Sequence, residues 1–123
     1  MPSSPLGILL LSGGHERTHY AFLLAAGAAA IDRKVIIFAS NEGCRGLTAT
    51  AESDPRDAEI QACGVAGLAT LRDACMELGV RLIACEAGLR MIGLAASALL
   101  PSVEIAGVTT FLTEVGAGTI ITL

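Results

Sequence analysis

Cys85 closes the run VRLIAC (residues 80–85) and stands immediately before EAGLRMIGL (residues 86–94). The second stretch is helix-like, opens on Glu86 and keeps small residues at Ala87, Gly88 and Gly93. A thiol in a strand-to-helix turn faces the first-turn N–H groups, which together with the helix dipole favour thiolate over thiol. A thiolate is a nucleophile. Glu86 works against it, because a neighbouring carboxylate opposes a second negative charge. Arg90, Arg45 and His15 are the groups that could offset Glu86. The competing reading is that Cys85 ends a strand as a small buried hydrophobe, as free cysteines commonly do.

Cys44 is the second candidate thiol. It lies in NEGCRG, between two glycines and beside Arg45, a setting that reads as too polar for packing. Cys75 falls on the apolar seam Leu68, Leu71, Cys75, Leu78, and Cys63 is assigned to the same helix; both read as packing residues. No two cysteines form a C-x-x-C pair, and with no export signal in the sequence all four are expected to be reduced. Redox pairing of Cys44 with Cys85 is a further alternative, and requires their Cα atoms to come within about 7 Å.

His15 and His19 are four residues apart, a spacing that can pair on a metal. With no third ligand in view they read instead as a partly exposed first helical turn, and no metal and no cofactor is expected. His15 is the better placed of the two to meet Cys85. Gly13, Gly14, Asn41, Glu42 and Gly43 should share an edge with Cys85. Two glycines before a helix can expose N–H groups to an anion, so a small-ligand module holding a nucleotide or other anion is the alternative from a different functional class. A structural subunit without chemistry is the remaining one.

The elements that must position these residues follow from the apolar period. Residues 7–12 form a continuous apolar run that stops at Gly13-Gly14, where glycine permits a sharp turn. Residues 16–31 read as an Ala-rich helix and residues 34–40 as a second strand. Residues 41–57 have no clear period and read as a long loop. Asp54-Pro55 is a helix-start signal for a helix that runs on to Gly79. Residues 80–85 are the third strand, 86–100 a helix, 103–105 a short strand, 108–115 a helical turn and 119–123 the last strand. Strands apolar throughout need cover on both faces. The expectation is a three-layer α/β/α domain with a central, mostly parallel five-stranded sheet, spanning residues 1–123 as one unit. Ligands of such sheets bind outside the carboxyl ends of the strands, which is where Cys85 falls.

The 123 residues suit one domain. Hydrophobic residues are 53% and aromatics 3%, so the core must be aliphatic, and a chain this apolar is expected to cover surface in a homo-oligomer. Net charge is −4 without a basic stripe, which excludes nucleic acid as the expected partner. No apolar run reaches the ~20 residues of a membrane span, and residues 6–11 lack a basic flank and read as a strand rather than a signal peptide. A cytoplasmic location without membrane insertion is expected.

ACEAGLRMIGL (residues 84–94) resembles the cysteine segment of the DsrE/DsrF-like (DsrEFH) sulfur-relay family. SGGHERTHYAFLLAAGAAAIDRKVIIFASNEGCRGL (residues 12–47) is similar to that family's first helix, second strand and following loop, and EIAGVTTFL (residues 104–112) to its late motif. The resemblance implies a cytoplasmic carrier that takes sulfane sulfur on Cys85 as a persulfide, in the manner of a sulfurtransferase. It also implies sulfur-donor and sulfur-acceptor proteins as partners, and assembly as a dimer, trimer or hexamer. The candidate site is Cys85, with Cys44 as a second thiol and Gly13, Gly14, His15, Asn41 and Glu86 in support.

Overall fold

The computed structural model describes residues 4–123. In chain order its elements are β1 Leu6–Leu10, α1 His15–Ala30, β2 Val35–Ala39, α2 Pro55–Ala62, α3 Leu68–Glu77, β3 Arg81–Cys85, α4 Glu86–Ile92, β4 Glu104–Ala106, α5 Val108–Val115 and β5 Thr119–Thr122. Tight 3-10 turns occupy Asn41–Leu47, Ala49–Ser53 and Ala96–Ala98. The sheet runs β4-β3-β2-β1-β5 with every neighbouring pair parallel. This is the three-layer α/β/α arrangement that the uninterrupted apolar strands require.

Alternation along the strands divides the core. Leu6, Ile8, Leu10, Ile37, Leu82 and Ala84 pack with Phe22 and Ala25 of α1 and with Leu68, Leu71 and Cys75 of α3. Ile36, Phe38, Ile83 and Cys85 point the other way and meet Phe111 and Val115 of α5. The alanines at 21, 25 and 29 give α1 a shallow buried face, which lets it lie close to the sheet. On the opposite side α5 rests directly on β1. A Cβ on Gly7 would sit 2.5 Å from Val115 Cγ2 and 2.9 Å from Phe111 Cζ. Phe38 and Phe111 stack with their ring centres 4.8 Å apart, a contact that adds to simple area burial.

The connections explain why the layers are unequal. The chain steps from β1 to β2, β3 and β4 in one direction, and Leu89 places α4 in the same core layer as α1 and α3. It then returns past three strands to β5 through α5. Right-handed crossovers in opposite directions put their helices on opposite faces, so α5 alone covers the second face.

Three expectations are corrected. Residues 55–78 are two helices, because Gly64 takes a left-handed φ of +83° and Gly67 caps the start of α3. The apolar seam therefore belongs to α3 alone, and Cys63, at the end of α2, is exposed rather than packed. The helix expected over 86–100 stops at Ile92, where Gly93 takes φ +66° and ends it in the usual glycine manner. The expected loop at 41–57 is built of 3-10 turns followed by the start of α2. Arg72 of α3 secures it: the guanidinium is buried, donates to the Gly46 and Thr48 carbonyls at 3.2 and 2.8 Å, and pairs with Glu52.

Candidate functional site

Cys85 is the last residue of β3 and the N-cap of α4. Its sulfur accepts the Gly88 N–H at 3.4 Å, so the side chain does for α4 what a serine or aspartate does at other helix starts. The position has a topological meaning as well. The helix after β3 lies on one face of the sheet and the helix after β4 on the other. Their neighbouring strand ends thus form the switch point at which open α/β sheets bind ligands. Cys85, paired in register with Ala106 of β4, stands at that point. The residue is 8% exposed.

The wall beside it comes from the end of β2. A Cβ on Gly88 would lie 2.5 Å from both the Asn41 nitrogen and Ser40 Oγ, so the glycine here admits this chain's own backbone. Asn41 adopts φ +53°, a left-handed conformation asparagine tolerates better than most residues. The Ser40 hydroxyl donates to Asn41 Oδ1 at 2.8 Å, and Asn41 Nδ2 reaches Met91 Sδ of α4 at 3.8 Å. Asn41 therefore joins the Cys85 wall. Glu86 is turned to solvent, where Arg90 pairs with it at 2.8 Å. Of the three groups named from the sequence as able to offset Glu86, Arg90 is the one that meets it. Arg45 pairs with Glu42 at 2.6 Å and His15 with Asp57 at 2.8 Å.

Cys44 is not in a polar setting: it is 0% exposed and packs in the α1–α3 core layer. Its thiol donates to the Ala39 carbonyl at 3.4 Å, and the Cys85 backbone N–H is directed at its sulfur. Burial pushes the thiol up to about 11; the Cys85 N–H pulls it down and the neighbouring Cys85 sulfur adds to the rise. Both thiols are free, and Cys44 and Cys85 fall in different core clusters. Cys75 is buried on the α3 seam as read, and burial alone pushes its thiol up to about 11.

The remaining predicted residues form a separate group. His15 and His19 are buried rather than partly exposed, and stack at 5.6 Å. His15 Nε2 donates to Asp57 and His19 Nε2 to the Ala66 carbonyl at 2.8 Å. His15 thus engages α2, not Cys85, because the first turn of α1 is roofed by the 41–57 segment. Gly13 serves close approach, since a Cβ there would lie 2.9 Å from the Glu42 carbonyl. Gly14, the N-cap of α1, has φ −69°, so the turn does not use left-handed glycine. Gly13 and His15 line a cavity with Arg45 and Asp54 that does not include Cys85. Asp57 and Arg72 carried no signal in the sequence, because the bonds of Asp57 to His15 and Leu68 and of Arg72 to Gly46, Thr48 and Glu52 join positions distant in the chain.

These environments set an order of thiol accessibility. Native-state alkylation at mildly alkaline pH is expected to label Cys63 first and Cys85 next, while Cys44 and Cys75 react only after denaturation. Peptide mapping of the labelled protein checks the order, and native labelling of Cys44 ahead of Cys85 contradicts the geometry above.

Among the described residues no helix is long and apolar enough to cross a membrane. The chain is similar in structure to MTH1491 from Methanobacterium thermoautotrophicum, a protein of unknown function. The TM-score is 0.68 at 15% identity, over 98% of this chain and 100% of that one. It is similar also to the ychN protein of E. coli, with TM-score 0.70 at 9% identity, over 98% and 99% of the two chains. At these identities the likeness concerns the fold. No curated protein matches the sequence. A model of the DsrE/DsrF/DrsH-like family matches residues 48–122, a span that holds Cys85, α4 and the late EIAGVTTFL motif and omits β1, α1 and β2. The chain belongs to the DsrE/DsrF/DrsH-like family.

Proposed function

We propose that this protein is a sulfur carrier in which Cys85 holds sulfane sulfur as a persulfide between a donor and an acceptor protein. The observation that carries the reading is the placement of the Cys85 sulfur at the switch point of the sheet, where it accepts the Gly88 N–H at 3.4 Å. Carrier chemistry has two displacements. The Cys85 thiolate, its proton lost to solvent, attacks the outer sulfur of the donor. The new S–S bond forms on Cys85 as the donor's bond to that sulfur breaks, and the electron pair leaves with the donor. An acceptor thiolate then attacks the same outer sulfur, and Cys85 departs as thiolate. No external oxidant or reductant is consumed. Negative charge falls on the Cys85 sulfur at the start of the first step and at the end of the second. A fixed N–H donor at that sulfur supports both.

Family membership supports the sulfur-relay class. A homo-oligomer in the cytoplasm completes the proposal. The exposed side chains of Val108 and Leu112 on α5 and Ile120 on β5 offer apolar surface for self-association. Intact-mass spectrometry after exposure to a sulfane-sulfur donor tests the central claim. Because Cys63 is exposed, the comparison is made in a Cys63→Ser background. A gain of whole sulfur atoms is expected there and in the added Cys44→Ser variant, and is expected to vanish with Cys85→Ser. A gain that survives Cys85→Ser, or no gain from any of several donors, removes the reading.

A further inference from the structure

We propose that β5 and the adjoining face of α1 form a two-fold interface with a second copy of this chain, in which the two β5 strands pair antiparallel and join two sheets into one. The inference gives a face and a symmetry to the homo-oligomer proposed above, and it rests on that part of the reading. It starts from the two edges of the sheet, β4 and β5. An open edge offers unpaired backbone groups to any approaching strand, and proteins blunt it with charge, proline or shortness. β4 is blunted, because it has only three residues and carries Glu104, which pairs with Arg81. β5 reads Thr-Ile-Ile-Thr and has neither charge nor proline.

The backbone of β5 is set for pairing. The N–H groups of Thr119 and Leu123 donate to the Pro5 and Leu9 carbonyls at 3.1 and 2.8 Å. Alternation along the strand then turns the N–H and C=O of Ile120 and Thr122 away from β1. Among the described residues nothing pairs with that side of β5. Laid antiparallel on itself about Ile121, the strand brings Ile120 of one copy opposite Thr122 of the other. Such a pair exchanges both bonds, so every outward group finds a partner. The segment reads the same in both directions, which is what a two-fold contact asks of an edge.

The helix beside this edge supplies an independent observation. A groove of about 390 Å³ between α1 and β5 is lined by Tyr20, Leu23, Gly27, Ile31 and Ile121, among others. The first four recur at helical spacing and form an apolar stripe that faces away from the chain's own core. Gly27 is exposed, and a Cβ there would meet nothing within 4 Å. Glycine costs helix stability relative to alanine, and no contact within the chain requires it here. The space it leaves on the groove wall suits a side chain arriving from a second copy.

The area fits as well. Tyr20, Leu23, Ile31 and Ile120 are 55, 38, 70 and 41% exposed. At roughly 200 Å² for a full side chain, they present on the order of 400 Å² of largely apolar surface. That is about half of the ~800 Å² each partner brings to a standard interface, and interfaces are apolar to about that degree. The strand edge and its threonines supply polar surface for the remainder.

Sedimentation equilibrium of the whole chain under reducing conditions tests this. The wild-type chain is expected to form a dimer or a multiple of dimers. Gly27→Arg is expected to raise the Kd of the two-fold contact about tenfold or more, because its side chain obstructs the groove. Nothing in its own chain meets that side chain, so the Tm of the dissociated protein should not fall. Thr122→Pro is expected to act alike, since it removes an outward N–H that the ladder to β1 does not use. If the proline variant fails to fold, Gly27→Arg decides alone. Leu112→Glu, on α5, is expected to leave the dimer intact. An oligomer that keeps its Kd in Gly27→Arg, or whose dimer Leu112→Glu disperses instead, overturns this interface and leaves the homo-oligomer standing. An odd-numbered assembly overturns it too, because a two-fold contact closes in pairs. A monomer at every concentration removes both the interface and the homo-oligomer, and leaves sulfur uptake at Cys85 to be judged by its own test.

Discussion

Gly88→Ala is expected to cost about 1–3 kcal/mol of stability and to remove most sulfur uptake at Cys85. A Cβ at this position would lie 2.5 Å from the Asn41 nitrogen and from Ser40 Oγ and 3.0 Å from Ser40 Cα. Two of these atoms are backbone, so no rotamer change clears them all. Relief requires α4 to lift from the end of β2. The Gly88 N–H that bonds the Cys85 sulfur is on the same residue, so any lift that makes room for the methyl also draws the donor away. Gly93→Ala is the informative comparison. It too is destabilising, by about 1 kcal/mol for a left-handed residue, since Gly93 has φ +66°. A Cβ there meets nothing within 4 Å, so the cost arises at the far end of α4. Urea melts together with sulfur-uptake rates separate the two. Matched stability losses with uptake reduced only in Gly88→Ala support a positioned donor. Wild-type uptake in a destabilised Gly88→Ala protein shows that the N–H contributes nothing.

Sequence reasoning reached the strands because their signal is local. VIIFA of β2 is buried throughout, and such a run permits few readings other than a covered strand. It reached Cys85 for the same reason, since a strand end, a cap and a following helix are all written in consecutive residues. It misplaced Cys44 because the neighbours of Cys44 in sequence are polar, whereas its neighbours in space are the Ala39 carbonyl, the Cys85 N–H and the α1–α3 core. His15 failed for a related reason. The buried partner Asp57 stands 42 positions away, on a helix whose packing angle no local pattern encodes. The break between α2 and α3 was visible as Gly64 and Gly67, but glycines inside an apolar pattern do not by themselves end a helix. What decides it here is the left-handed φ of Gly64 and the space Gly67 must leave for Asp57.

Asp57→Ala is expected to destabilise the fold by about 3 kcal/mol or more, because it leaves the His15, Gln61 and Leu68 donors of one buried carboxylate unpaired together. Asp57 is 3% exposed. One carboxylate accepts from His15 Nε2 at 2.8 Å, from Gln61 Nε2 at 3.0 Å and from the Leu68 N–H at 3.0 Å. It thus joins the first turn of α1 to α2 and to the start of α3. The N-cap of α3 is Gly67, which has no side-chain acceptor, so Asp57 satisfies an α3 N–H from a neighbouring helix. Gly67 cannot take over: a Cβ there would lie 2.6 Å from Asp57 Oδ2. Burial by itself raises the carboxyl, but the bonds from His15, Leu68 and Gln61 outweigh it and hold the group below its ordinary 3.8. A depressed carboxylate stabilises the fold in full above its unfolded value, and that contribution is lost as pH falls through the folded value. The gap between wild type and Asp57→Ala should therefore be constant near neutrality and narrow below about pH 4. Asp57→Asn keeps one carbonyl oxygen for the Leu68 N–H but turns an NH2 toward a donor, so it should fall between the two. Urea midpoints for the three proteins at neutral and acid pH decide the matter. An alanine variant within about 1 kcal/mol of wild type, or a gap that widens in acid, would mean the carboxylate does not hold the three helices together.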